Sequence, residues 1–335
     1  MSSVGIIANP LAGKDIRRLV SQANVVSNQE KANTLRRVFS GLLTMGVKKI
    51  FVMPDITDLT REAREDVQGK IDIKLLEIGR IDQTGTSTIA AELMEQNNVD
   101  CIITLGGDGT NRAVAKAIKK IPLLPISTGT NNVFPFFIEG TIAGIAAGSY
   151  AVRKTEKTEF LLKSKKFEVL INDKLEELAL IDIAIVNIPF LGSGAVWDTN
   201  NIEELFLTRS EGMNIGLSSI GAQIKQLGAL DKNGLHLIFD NKNSKNSQIL
   251  VNSPIAPGKI IQSKINQWKE LVPGEMVKIR KEFRTIALDG ERTIEIGSND
   301  KIEISLSSNG PLVLDVKKIL SKTNIFNIQK KNKYL

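Results

Sequence analysis

Thr104-Leu105-Gly106-Gly107-Asp108-Gly109-Thr110-Asn111 decides the reading of this chain. An apolar run, Cys101–Leu105, enters it, and a helical pattern from about Thr110 to Lys119 leaves it. That is a strand–loop–helix junction, and in an open α/β sheet ligands bind beyond the carboxyl ends of the strands. Gly106, Gly107 and Gly109 carry no Cβ, so the backbone can approach a bulky anion closely. Amides at the start of the following helix attract phosphate. Asp108 sets one carboxylate inside this anion-friendly loop. A structural turn gains only a helix cap from it. A phosphotransferase would use it as a magnesium ligand or a general base.

The same alternation extends outward from the loop. Val4–Ala8 is a short apolar run, followed by Leu35, Val38, Phe39 and Leu42 at helical spacing. Ile50–Met53, a polar helix near Asp58–Asp66 and the strand-like Ile71–Ile78 come next. Thr84 or Thr86 caps a helix carrying Ile89, Leu93 and Met94, and Leu123–Ile126 is a further strand. Strand alternating with helix predicts an α/β domain with a doubly wound, largely parallel sheet.

Past Phe137 the texture changes. Lys165–Leu170, Leu178–Val186, Leu235–Phe239, Gln248–Asn252, Met276–Ile279, Thr285–Leu288 and Ile302–Leu306 are short and β-branched, with turns such as Asn172-Asp173 between them. That predicts an all-β domain, interrupted by one helical candidate, Ile202–Leu207. The expected division is an α/β nucleotide-binding domain over 1–137, a β-rich acceptor domain over 138–316 and a basic tail over 317–335.

A second loop follows a strand in the same way. Ser127, Thr128, Thr130, Asn131 and Asn132 gather short hydrogen-bonding side chains around Gly129. Two such loops at successive strand ends face each other across one crevice; a capped turn is the plainer alternative. Ala8–Asp15 approaches a phosphate-binding P-loop but lacks its first glycine, and Asp15 stands where a hydroxyl belongs. Gly13-Lys14 offers an amide and a cation, or is a surface turn.

Composition narrows the classes. The chain has 335 residues, 42% hydrophobic and 24% charged, which is globular. A single cysteine, Cys101, excludes an internal disulfide and fits a reducing compartment. One histidine, His236, excludes a histidine-based metal cluster. The first apolar run stops at Asn9-Pro10 and no run reaches the roughly 18 residues of a membrane span, so a cytoplasmic location is expected. Net charge is +7, but 317–335 holds six lysines and no acid. The rest is nearly neutral, so nucleic-acid binding is not expected and the tail reads as solvated.

With the loops in view, a family resemblance emerges. Thr104–Asn111 and Ser127–Phe134 resemble the GGDGT loop and its downstream partner in the NAD kinase and diacylglycerol kinase superfamily. Thr208–Gly221 resembles the NAD kinase segment T-P-T-G-S-T-A-Y-x-L-S-x-G-G. Asn252–Pro257 is similar to its T-P-I-x-P-H turn, and Asp289-Gly290-Glu291 to its D-G-Q step. Phe190–Asp198, with Trp197 as a stacking or half-buried core ring, looks like a divergent ATP-NAD kinase-like branch that includes the X proteins of acetoin catabolism operons.

This resemblance implies an NAD kinase-like fold and a magnesium-dependent kinase. ATP or polyphosphate would phosphorylate a hydroxyl of NAD or a related nucleotide-like acceptor. It implies Asp108 as the catalytic carboxylate. Gly106, Gly107, Gly109, Thr110, Asn111, Thr128, Gly129, Thr130, Asn131 and Asn132 would bind nucleotide and phosphate. Asp182, Thr208, Ser210, Asp289 and Glu291 would bind the acceptor, and the metal ligands stay unassigned. A homodimer or homotetramer is implied as well. Ala179-Leu180-Ile181-Asp182 stands where NAD kinases carry A-L-N-E, and Ile215 replaces a tyrosine. Lost amide and ring contacts imply weak NAD binding, improved by Ile181→Asn. Two alternatives stay open. One is a lipid kinase of the diacylglycerol type, with Asp289-Gly290-Glu291 matching its D-G-E and the basic tail on an anionic membrane. The other is a non-catalytic nucleotide sensor.

Overall fold

The computed structural model describes residues 1–13, 22, 26–79, 85–129, 131–187, 199–240, 249–279, 285–290, 292–295, 297 and 299–323. Lys14, Asp15, Thr84, Thr130, Trp197, Asp198, Glu291 and the tail from 324 on lie outside the described residues.

Five parallel strands begin the first sheet: β1 (Ser3–Ala8), β2 (Lys49–Val52), β3 (Asp72–Leu75), β4 (Cys101–Gly106) and β5 (Leu123–Ser127). Their order is β3-β2-β1-β4-β5. The chain reverses its direction of sheet growth between β1 and β4, which makes the loops after those strands the rim of a ligand crevice. Helices α1 (Asn28–Thr44), α2 (Arg61–Asp66), α3 (Thr86–Gln96) and α4 (Asp108–Ala117) are the connections. Helix α1 starts at Ser27, whose hydroxyl accepts the Glu30 amide at 3.1 Å, and buries Leu35, Val38, Phe39 and Leu42 as their spacing predicts.

Helix α5 (Gly140–Val152) crosses α1 at close range, because a Cβ at Gly41 would stand 2.6 Å from the Thr141 carbonyl oxygen. The contact depends on the missing side chain. Strand β6 (Leu161–Lys163) follows. The chain then builds a sandwich of two antiparallel sheets. One orders β7 (Lys166–Ile171) and β8 (Lys174–Ala179) with two later strands, Met276–Ile279 and Ile302–Ser307. The other contains β9 (Asp182–Val186) and β10 (Ile202–Leu207) between Gly234–Phe239 and Thr285–Leu288, with Ile249–Ala256 at one edge. Phe167, Ile183, Phe206, Ile286 and Leu306 fill the space between them, with Phe167 and Phe206 edge to face at 5.9 Å.

The α/β lobe followed by a strand-rich lobe matches the expected fold class. Two details correct the reading. Ile202–Leu207 is a strand, not a helix: nearly every side chain in it is buried, so the alternation that marks a strand is missing. Leu178–Val186 is two strands, broken at Leu180-Ile181. Helix α5, which lies beyond 137, packs in the core of the first lobe. A late strand, Leu312–Leu314, pairs in parallel with β5 and antiparallel with β6 inside the first sheet. The expected tail opens with a packed helix, Val316–Ser321, capped by Asp315 and tied by Lys322 to Glu159 at 2.7 Å.

Candidate active site

The loop after β4 is held by its own side chains. Gly107 is extended (φ −99°, ψ −169°) and precedes α4, so Asp108 is the first residue of the helix. The fully buried Asn111 donates to the Gly107 carbonyl at 2.9 Å and accepts from the Thr104 hydroxyl at 2.7 Å. Thr110 accepts from Asn9, which carries the loop after β1 to the same point (3.0 Å). Asn111 and Thr110 therefore brace the loop with their side chains. The glycines leave room for chain rather than for ligand alone: a Cβ on Gly106 would meet Thr110 at 2.7 Å, and one on Gly107 would meet Asn132 Oδ1 at 2.8 Å.

Asp108 is the join between the two loops. Both of its oxygens accept the Val133 amide at 3.1 Å, and one accepts the Phe134 amide at 2.7 Å. Sequence offered this carboxylate as base or metal ligand; the structure adds a fastening role. On the second loop, Ser127 Oγ donates to the Gly129 carbonyl at 2.8 Å, and Asn132 donates to Ser127 Oγ at 3.0 Å. Gly13 closes on the same loop, since a Cβ there would lie 2.6 Å from the Thr128 carbonyl oxygen.

The second lobe supplies a parallel clasp. Asp289 sits in the left-handed region (φ 48°) beside Gly290 (φ 71°) in a hairpin turn. Its buried carboxylate accepts the amides of Leu180 (3.0 Å), Ile181 (2.8 Å) and Asp182 (3.2 Å). This grip is what breaks β8 from β9. Burial pushes the Asp289 carboxyl above its ordinary value, against the pull of Arg112 and the three amides. Arg112, on α4, spans the lobes: its Nη1 lies 2.8 Å from Glu177 on β8 and its Nε 3.8 Å from Asp289. Burial raises the Glu177 carboxyl, but the hydrogen bond from Lys116 and the charge of Arg112 outweigh it and hold it below the usual range.

Two residues expected at the acceptor donate their hydroxyl hydrogens to the backbone. Thr208 donates to the Leu180 carbonyl at 2.6 Å, and Ser210 to the Lys225 carbonyl at 2.6 Å. Ile181, where the resembling family has asparagine, is wholly buried in an apolar cluster with Leu178 and Phe134.

Asp108, Asn131, Asp182, Asp289 and Gly290 do come together, around a cavity of about 10 Å³ also lined by Ser218 and Gly216. Thr128 Oγ1, Asn131 Oδ1 and Ser218 Oγ are buried and have no hydrogen-bond partner among the described residues. Ser218 and Arg209 were passed over in the sequence, although both lie in the Thr208–Gly221 motif. Arg209 donates to the Val133 carbonyl at 3.3 Å and lies 5.0 Å over the Phe134 ring, so it braces the second loop from the second lobe. Burial lowers its pKa, opposed by Glu211 and Asp108. Among the described residues no group of three His, Cys, Asp or Glu is placed to hold a metal ion by itself, and no helix is long and apolar enough to cross a membrane.

Residues 4–151 match the model of the ATP-NAD kinase N-terminal domain, and 165–309 match that of the acetoin catabolism protein X C-terminal domain. Acetoin catabolism protein X of Cupriavidus necator is 31% identical over 325 residues, covering 93% of this chain and 90% of that one. Among solved structures, a "putative diacylglycerol kinase" from Bacillus anthracis str. Sterne aligns with a TM-score of 0.46 and 14% identity, over 93% of this chain and 97% of that one.

Proposed function

The chain belongs to the acetoin catabolism protein X family, and from that premise we propose that it is a phosphotransferase. It moves a phosphoryl group from ATP or polyphosphate to a hydroxyl of NAD or a related nucleotide-like acceptor. One observation carries this reading: Asn131 and Ser218, whose buried polar atoms find no partner among the described residues, line one cavity with the carboxylates of Asp108 and Asp182. A buried polar atom left unpaired costs about 1–3 kcal/mol. Ligand groups that pair with these two would recover that cost.

The cavity holds one water at most, so acceptor binding requires the two lobes to part there. The start of α4, with Gly107 and Gly109, takes the donor phosphates on its amides. Amide bonds fix the orientation of Asp108, which takes the proton of the acceptor hydroxyl. Transfer of this kind rests mainly on positioning and charge neutralisation. Magnesium carried on substrate phosphates needs only one or two protein carboxylates, and Asp108 and Asp182 would hold it, neutralising charge on the transferring group. We extend the proposal to a homodimer or homotetramer, which sedimentation would test.

Two features bear on the alternatives. Both Asp108 oxygens already accept amides, which favours the nucleotide-sensor reading as second choice. Asp289 is enclosed by three amides, which disfavours it as the base of a lipid kinase. The deciding experiment is ADP release with magnesium, with and without NAD, beside calorimetric ATP binding. NAD-dependent release supports the kinase. ATP binding without release, over a panel of nucleotide acceptors, replaces it with the sensor.

A further inference from the structure

A second cavity, of about 260 Å³, shares no lining residue with the one beside Asp108. It lies where the first sheet meets the sandwich. Its walls are apolar: Phe134, Phe136, Leu162, Leu230, Val313 and Val316. Leu230 is 68% exposed, so the cavity has an apolar lip open to solvent. Its charged groups are mainly cationic: Arg209, Lys163 and Lys317 against one acid, Asp315, whose carboxylate is already capping the helix that follows it through the Lys318 amide.

A further cation stands close by. Lys165 donates to the carbonyls of Gly228 (3.4 Å) and Asn233 (2.7 Å), and burial together with the neighbouring charge of Arg209 pushes its pKa down to about 8. Glu211 and Asp231 offset part of this charge, and the cations stand against an apolar wall. Among the described residues Arg209 gives one hydrogen bond, to Val133, from a guanidinium with five N–H donors. Its planar fork matches a carboxylate.

We propose that this cavity binds an amphipathic organic acid, with the carboxylate at Arg209 and the apolar body between Phe134, Leu162 and Val313. The volume accommodates roughly nine groups of water size, at about 30 Å³ each. That corresponds to a medium-chain acid. The site is independent of the kinase reading, because binding alone tests it.

The experiment titrates the full chain with octanoate, octan-1-ol and octylamine by calorimetry. Saturable one-to-one binding of octanoate is expected, at least about tenfold tighter than the alcohol, with none for the amine. Leu230→Asp, at the exposed lip, should weaken octanoate about tenfold or more while leaving the melting temperature unchanged. Arg209→Met, if folded, should remove the preference for the acid over the alcohol. Absence of saturable octanoate binding, equal binding of the alcohol, or undiminished binding by Leu230→Asp would overturn the proposal, whatever the fate of Arg209→Met.

Discussion

The backbone amide of Phe134 donates to the carboxylate of Asp108 at 2.7 Å, across 26 positions of sequence. The loop after β4 and the loop after β5 are therefore one unit, closed by the carboxylate proposed as the base. Arg209 presses on the same peptide from the second lobe. A substitution at Asp108 therefore reaches both the proposed catalysis and the architecture.

Asp108→Asn should accordingly do two things. Turnover should fall by roughly 10²–10⁴, the usual worth of a general base. Stability should fall too, by about 1–3 kcal/mol, because the new NH₂ faces an N–H donor that loses its acceptor. Steady-state turnover and urea unfolding on one preparation check both. Turnover equal to wild type would remove Asp108 from the chemistry.

Thr128→Val separates ligand binding from folding. The hydroxyl it deletes is buried and has no partner among the described residues. Melting temperature should hold or rise, while ATP affinity should drop by about tenfold, near 1.4 kcal/mol. Unchanged calorimetric affinity would mean that Thr128 does not face the nucleotide.

Ile181→Asn should destabilise rather than improve NAD binding. The resembling family suggests the reverse, but here the side chain lies in an apolar cluster beside Leu178. Burying an amide there without a partner costs about 1–3 kcal/mol on mutational scales. Thermal melts beside NAD titration distinguish the two outcomes; a stable variant with tighter NAD binding would restore the family expectation.

Arg112→Met should cost about 3–5 kcal/mol, as for a broken buried ion pair, with a pH signature. Asp289 has a raised folded pKa, so the folded state binds more protons than the unfolded one. Its contribution falls as pH rises from the ordinary carboxyl value through the folded one. Removing Arg112 raises that folded value further. Glu177, held low in part by Arg112, contributes stability above its unfolded pKa, and the variant loses part of it. The deficit should be larger at pH 7 than at pH 4, measured by denaturant unfolding at each. A pH-independent deficit would show that Arg112 acts only through packing.

Gly107→Ala should weaken nucleotide binding by displacing Asn132, whose Oδ1 would lie 2.8 Å from the new Cβ. The double variant with Asn132→Gly should recover part of the loss in calorimetry. Without that recovery, the glycine serves the ligand rather than the neighbouring loop.

The strand–helix alternation of the first lobe was legible in the sequence because each element announces its own period, as Leu35, Val38, Phe39 and Leu42 do. The meeting of Asp108 with Asn131 was legible because both loops follow neighbouring strands. What stayed hidden was set at long range. Leu180-Ile181 reads as strand interior until Asp289, more than a hundred positions later, grips its amides. Thr208 reads as a ligand residue, and only the fold shows its hydroxyl donating to the Leu180 carbonyl. Ile202–Leu207 misleads because burial on both faces erases the alternation of a strand.

The late strand at Leu312–Leu314 has a consequence for synthesis. Val313 covers the outer edge of β5 at Leu123, and its own far side pairs with Leu162 of β6. At about 5–20 residues per second, the ~190 residues between Leu123 and Val313 take roughly 10–40 s to emerge from the ribosome. During that interval the first sheet ends in a bare apolar edge, open to wrong pairing. Vectorial folding of this chain therefore finishes the first lobe last.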